Sequence, residues 1–177
     1  MKKAVFLDRD GTLTSERNYT LSPEEIKILP QTPEAIKILH QSGFLTIVVT
    51  NQSCVGKGLI TLEELHRIHH VFLKILEKEG ASIDAIYFCP HHPDAGCKCR
   101  KPSPELIFRA AKDYNIDLSK SYLIGDQKRD IEMGKRAGLK TVMVLTGYGE
   151  EQSKEANPDF IAKDVLEAAK IITQLIL

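Results

Sequence analysis

The chain has 177 residues, with 24 Lys and Arg set against 24 Asp and Glu, so its formal net charge is zero. That length suits one domain with an ordinary core, and zero net charge speaks against a nucleic-acid partner, which usually needs a basic face. No apolar run is long enough to cross a bilayer, and the run after Met1-Lys2-Lys3 stops at Asp8, as a strand does and a signal peptide does not. The expectation is a cytoplasmic, monomeric protein of one domain spanning 1–177, with no membrane partner.

Strands and helices alternate along the chain. Val5–Leu7 reads as a first strand, followed by a loop from Ser15 to Pro30. Thr32 is placed as an N-cap with Pro33 at the first helical position. Ile36, Leu39 and His40 share a face, and Gly43 ends that helix. Leu45–Thr50 is a continuous, β-branched strand of the kind buried on both faces. Thr61-Leu62-Glu63-Glu64 is a capping box. It opens a helix with Leu65, Ile68, Phe72, Ile75 and Leu76 on one stripe, ending at Gly80.

Ile83–Phe88 is a third strand, and Ser103-Pro104 starts the next helix. Tyr122–Ile124 forms a fourth strand, and Asp130–Ala137 a helix closed by Gly138. Thr141–Leu145 forms a fifth strand, and Phe160-Ile161 a short edge strand. Asp164 caps a last helix bearing Leu166, Ala169, Ile172 and Ile176. This alternation predicts an α/β fold: a three-layer, Rossmann-like, mainly parallel sheet with helices on both faces. The polar signals then fall at strand C-termini, along one rim.

The strongest signal is Asp8-Arg9-Asp10-Gly11-Thr12, directly after the first strand. Two carboxylates two residues apart reach one spot at the sheet edge. One can attack phosphorus, the other can move a proton, and together they can hold Mg²⁺. Gly11 allows a close turn, and Thr12 offers N–H and O–H donors to a phosphate. Thr50-Asn51-Gln52-Ser53 follows the second strand; Thr50 can reach a phosphoryl oxygen, and the N–H groups beyond it can form an anion nest. Arg100-Lys101 precedes a helix start, where two cations oppose the dipole but suit a phosphate dianion. Asp126 would face Asp8 as a further metal carboxylate, unless it only caps the helix. Asp130, one turn on, would orient a metal-bound water or a lysine. Tyr148 lies in a glycine-flanked loop near the same rim.

Of four cysteines, Cys89, Cys97 and Cys99 crowd into one loop, at 89–99, with His91 and His92. Without a secretory signal, this pattern reads as metal binding. Cys89, His91, Cys97 and Cys99 would close an S₃N shell around a structural Zn²⁺, with His92 as the alternative nitrogen ligand. Cys54 is left over as an ordinary thiol whose place near the rim suggests an oxidation site. His66 and His70 stand at i, i+4 but lack a carboxylate partner, so a solvated or half-buried helix face is expected.

These motifs, in this order, resemble the haloacid dehalogenase-like phosphatases from end to end. Asp8-x-Asp10-Gly11-Thr12, Thr50, Lys101 and Gly125-Asp126…Asp130 match the four motifs of that superfamily. Thr50-Asn51-Gln52-Ser53 and Cys89-Pro90-His91-His92-Pro93…Cys97-x-Cys99-Arg100-Lys101-Pro102 are similar to the branch holding the heptose 1,7-bisphosphate 7-phosphatases and the histidinol-phosphate phosphatases. The resemblance implies a capless fold and a small phosphorylated sugar as substrate. It implies Asp8 as nucleophile, Asp10 as general acid/base, and Thr50 and Lys101 steadying the phosphoryl group. Mg²⁺ would be held by Asp8, the Asp10 backbone carbonyl and Asp126. Arg100 would help recognise the substrate, beside a loop of Glu16, Arg17, Asn18 and Tyr19. Three positions depart from the pattern: Cys54 stands where heptose phosphatases carry Gly, Gln127 where Lys is common, and Ser53 where histidinol-phosphate enzymes carry Asp.

Overall fold

The structure, a computed structural model, describes residues 1–176. Its six strands are β1 (Lys3–Leu7), β2 (Phe44–Asn51), β3 (Ala85–Cys89), β4 (Tyr122–Gly125), β5 (Lys140–Val144) and β6 (Phe160–Ala162). They form one sheet in the order β3-β2-β1-β4-β5-β6, and every neighbouring pair is parallel. The helices are α1 (Thr32–Gln41), α2 (Ser53–Gly56), α3 (Leu62–Lys78), α4 (Glu105–Tyr114), α5 (Lys128–Arg136), α6 (Gly149–Gln152) and α7 (Val165–Gln174). The expected α/β architecture stands.

Parallel strands buried on both faces need apolar residues at successive positions, which alternate between the two faces. In β1, Val5 and Leu7 join Val48, Ile124 and Val142 on one face. There they pack against α1, α3 and α7 through Ile36, Leu39, Phe72, Leu76, Ala169 and Ile172. Ala4 and Phe6 turn to the other face, with Ile47, Leu123 and Met143, and meet Leu106, Ile107 and Ile131 of α4 and α5.

β1 sits at the topological switch. β2 and β3 lie to one side of it, and β4, β5 and β6 to the other. Ligands of open α/β sheets bind in the crevice at such a point, outside the strand C-termini. Leu7 pairs with Ile124, and the Asp8 N–H donates to Ile124 O at 3.0 Å. Asp8 and Asp126 therefore leave the sheet from adjacent strands.

Several local expectations change. Thr32 is buried and does not cap α1 with its side chain; its hydroxyl donates to Leu13 O at 2.8 Å, pinning the helix to the segment after the first motif. His40 is only half-buried, held by Thr46 Oγ1 at 2.9 Å and Asp84 Oδ2 at 3.0 Å. Ile176 is exposed, and α7 instead buries Val165 and Ala168. The short helices α2 and α6 carry too few residues for a periodic signal. The capping box at Thr61 is present, and Asp164 caps α7 by accepting from Glu167 N.

Phe72 is fully buried where α3 meets the sheet. Phe72→Ala is expected to lower stability by about 3–5 kcal/mol through lost transfer energy and an incompletely filled cavity. Urea unfolding should show a lower midpoint with an unchanged slope.

Candidate active site

Three carboxylates converge at the switch point: Asp8 after β1, Asp126 after β4 and Asp130 in the first turn of α5. Each offers an oxygen within 4.8 Å of the others, and all three are buried. Lys101 reaches into this cluster from the loop before α4. Its Nζ lies 2.7 Å from Asp8 Oδ1 and 2.9 Å from Asp130 Oδ1, with only 1% of its side chain exposed. Lys101 is therefore not part of a solvated charge pair. Asp8 Oδ2 has no hydrogen-bond partner among the described residues.

Asp126 is fully buried but does not cap α5. Gln127 does so, with Asp130 Oδ2 accepting the Gln127 N–H at 3.0 Å. Asp126 instead accepts from Thr12 Oγ1 at 3.2 Å and from the Tyr148 N–H at 3.0 Å. Gly11, at φ +85°, and Gly147, at φ +58°, crowd it so closely that a Cβ on either would collide with the carboxylate. Thr12 departs from its expected role. It is fully buried, its hydroxyl serves Asp126 and its N–H bonds to Arg9 O, so neither donor faces a phosphate.

Asp10 stands apart from the three gathered carboxylates. Arg9 Nε and Nη2 donate to its two oxygens at 3.0 and 2.8 Å, and Gln52 Nε2 adds a bond of 3.0 Å. Thr50, 1% exposed, accepts from Gln52 Nε2 at 2.9 Å. Asn51 Oδ1 accepts the Lys101 N–H at 3.1 Å and so ties the loop before α4 to the end of β2, while its Nδ2 is buried without a partner.

A cavity of about 330 Å³ opens over these groups. Asp8, Asp10, Thr50 and Lys101 line it, as do Glu16, Arg17, Asn18, Tyr19, Asn51, Gln52, Ser53 and Arg100. Apart from Thr12, the structure thus brings together the residues expected to contact substrate. Sequence reasoning missed Lys57, Pro93, Arg129 and Gln152, which come from loops, the start of α5 and the end of α6, far apart in the chain. Lys57 Nζ donates to Tyr19 OH at 2.6 Å, linking two walls. Gln127 and Tyr148 also line the cavity. Cys54 is fully buried, with its thiol pushed up by that burial, which suits the ordinary thiol expected rather than an oxidation site.

The four candidate ligands of the cysteine loop also meet. Cys89 Sγ lies 3.5 Å from both His91 Nδ1 and Cys97 Sγ; Cys99 Sγ lies 3.2 Å from His91 Nδ1 and 3.8 Å from Cys97 Sγ. His92 is not part of the group; its Nδ1 faces Asp94. His66 and His70 are exposed, as expected, whereas His69 between them is buried.

Relatives match this arrangement over nearly the whole chain. The chain is 36% identical to D-glycero-D-manno-heptose-1,7-bisphosphate 7-phosphatase of Chlorobaculum tepidum, across 94% of this chain and 92% of that protein. The enzyme of Pasteurella multocida named for the β-anomer is 35% identical, across 99% of each. The chain belongs to this phosphatase family. A model of HAD-hydrolase-like proteins matches residues 98–168. The crystal structure of D,D-heptose 1,7-bisphosphate phosphatase from B. bronchiseptica, complexed with magnesium and phosphate, superposes with a TM-score of 0.92 at 33% identity, covering 98% of this chain and 99% of that one. The corresponding enzyme from Burkholderia thailandensis gives 0.75 at 30% identity, covering 96% and 97%. The protein is a phosphatase, a phosphoric monoester hydrolase.

The electrostatics of this phosphatase site call for a cation. Burial and the nearby Asp130 charge push Asp8 up to about 6, against the opposing pull of Lys101. Burial and the charge of Asp8 push Asp126 up to about 9. Glu16 rises to about 7, through burial and then the charges of Asp10 and Asp8. A divalent cation bound among these carboxylates displaces their protons.

The pH dependence follows from the direction of these shifts. Carboxyls raised in the folded state bind protons there more tightly than in the unfolded chain. The metal-free fold therefore loses stability as pH rises from the ordinary carboxylate range through about 6 and on to about 9. Mg²⁺ should raise the melting temperature more at ~pH 8.5 than at ~pH 5.5. Thermal melts with and without the ion check this, and an equal shift at both pH values would contradict it.

Proposed function

We propose that the enzyme removes the 7-phosphate of D-glycero-D-manno-heptose 1,7-bisphosphate through an aspartyl-phosphate on Asp8. The observation that carries this reading is one cavity holding Asp8, with its unengaged Oδ2, the Asp10 carboxylate and buried Lys101. The full-length likeness to enzymes named for that substrate supports it.

In the proposed reaction Asp8 Oδ2 attacks phosphorus in line. The bond from phosphorus to the sugar oxygen breaks, and Asp10 gives that oxygen a proton. Water then attacks the phosphoryl-aspartate while Asp10 takes its proton, releasing phosphate and restoring both side chains. Lys101 holds Asp8 in place through Oδ1 and sets positive charge beside the transferring group, where preorganised charge does most work. Asp130 is a positioning residue for Lys101. Thr50 and Arg100 offer donors from the cavity wall, and Glu16, Arg17, Asn18 and Tyr19 contact the sugar.

Mg²⁺ fits the site: Asp8 and Asp126 are buried carboxylates with more negative charge nearby than Lys101 offsets. With the Asp10 backbone carbonyl they would hold the ion, which supplies charge to offset that of the phosphoryl oxygens.

Zn²⁺ fits the cysteine loop. The observed separations match the edges of a tetrahedron built on Zn–S of about 2.3 Å and Zn–N of about 2.0–2.1 Å, which are near 3.8 and 3.5 Å. Four protein ligands leave no open position, so the ion would be structural. Cys99 stands two residues before Lys101, so a closed shell would order the loop that delivers this lysine.

Phosphate release from heptose 1,7-bisphosphate and histidinol phosphate, measured side by side, tests the substrate. A heptose preference in kcat/KM of about a hundredfold or more is expected, which is ~2.7 kcal/mol of transition-state binding. A preference for histidinol phosphate would overturn the substrate while leaving the reaction. Asp8→Asn should abolish turnover with the far-UV spectrum unchanged, and retained turnover would overturn the mechanism. Metal analysis of the purified protein should find about one zinc per chain, lost in Cys99→Ser together with most of the activity.

A further inference from the structure

Arg9 lies between the two motif aspartates, yet only 2% of it is exposed. A buried guanidinium is costly unless partnered. Its partner is its chain neighbour, which requires a tight turn. The N–H groups of Thr12, Leu13 and Thr14 all bond to Arg9 O, at 3.3, 2.9 and 3.0 Å, and fold Asp10 back over the Arg9 side chain.

The fork then takes both Asp10 oxygens, Nε on Oδ1 at 3.0 Å and Nη2 on Oδ2 at 2.8 Å. Each oxygen has a second donor: Thr14 Oγ1 at 3.3 Å on Oδ1, and Gln52 Nε2 at 3.0 Å on Oδ2. Paired parallel bonds fix the plane of a carboxylate, as a lysine point charge cannot. The third nitrogen, Nη1, is buried without a partner, as is Nε2 of His69. Burial and the Arg9 charge hold His69 down to about 3, so the ring is neutral and adds no repulsion.

We propose that Arg9 is a positioning residue for leaving-group departure: its fork holds the Asp10 carboxyl in the one orientation from which a proton reaches the leaving oxygen. This rests on Asp10 acting as the acid in the reaction proposed above. As the phosphorus–oxygen bond breaks, its electron pair stays on the leaving oxygen. The Asp10 proton moves there, and the carboxylate left behind is the form that Arg9 grips best.

The test compares first-turnover release of two leaving groups. The sugar alkoxide of heptose 1,7-bisphosphate needs a proton to leave; the phenolate of p-nitrophenyl phosphate does not. Arg9→Met is expected to slow the sugar ester by ~10–100-fold and the aryl ester by less than ~3-fold, with inhibition by inorganic phosphate unchanged. Arg9→Lys keeps the charge but loses the fork. It should show the same pattern with a loss of at least ~10-fold on the sugar ester, and it carries the test if Arg9→Met does not fold. Equal losses on both esters, or wild-type rates in Arg9→Lys, overturn the proposal. Asp10→Asn in the same assay separates it from the reading beneath. A loss confined to the sugar ester there, with none at Arg9, overturns the Arg9 role alone. No loss in Asp10→Asn overturns both.

Discussion

The site depends on one buried ion network, Asp8–Lys101–Asp130, with Asp126 beside it. Taking such charges from water is expensive, and removing one partner of a buried pair costs on the order of 3–5 kcal/mol. Burial alone would lower the Lys101 pKa, but Asp130 and Asp8 outweigh it and raise it, so the charge stays on. One lysine does not balance three carboxylates. The excess negative charge makes the cluster receptive to a divalent cation, and the cation with Lys101 makes it receptive to a phosphate. One electrostatic imbalance thus suits the cluster to both a divalent cation and a phosphate.

Each member of the network is anchored to a different part of the fold. Asp8 leaves the central strand, and Asp130 is locked into the first turn of α5 through the Gln127 N–H. Lys101 is the weak point, because it sits on irregular chain. Its backbone is tied to Asn51, and the start of the preceding loop accepts hydrogen bonds from the turn after β2 and from α2: Gln52 N–H to Cys89 O at 2.8 Å and Gly56 N–H to Pro90 O at 2.7 Å. Gly56 packs so tightly on the backbone of His91 and His92 that a Cβ would collide with it. Sites held on rigid elements are more precise than sites on free loops. With the proposed zinc bound, the four-donor cluster ending at Cys99, two residues before Lys101, would give this loop the rigidity that a strand or helix would otherwise supply.

The sheet was legible because a parallel strand buried on both faces has a distinctive composition, as in Ala4–Leu7 and Leu45–Thr50. The motif carboxylates were legible because each follows such a strand. What stayed hidden depends on three-dimensional neighbours. Thr32 looks like a cap in sequence, but its hydroxyl finds Leu13 O, nineteen residues away. Thr12 looks like a phosphate donor, but both its donors turn inward. Lys57 and Arg129 carry no local pattern, since their place at the cavity follows only from how the loops after β2 and β4 meet. Arg9 reads as one more charged residue until the turn that folds Asp10 back onto it is seen.

The division between legible and hidden parts follows the division of labour in the site. Apart from Lys101, the groups proposed to handle the phosphoryl transfer sit at strand ends, where backbone geometry places them and sequence pattern reveals them. Groups suited to the rest of the substrate come from the Glu16–Tyr19 segment, the turn at Lys57, the cysteine loop and the start of α5. The Glu16–Tyr19 segment in particular is held by exposed side chains, Lys57 on Tyr19 and Arg17 on Glu25, rather than by the sheet. Exposed contacts of that kind are individually weak. The cavity wall can therefore change its chemistry with little cost to the fold, while the Asp8–Lys101–Asp130 network cannot change without leaving a buried charge unpaired. Ser53 and Gln127, two of the positions where the sequence departs from the expected family pattern, line the cavity itself, whereas Cys54 is buried behind it.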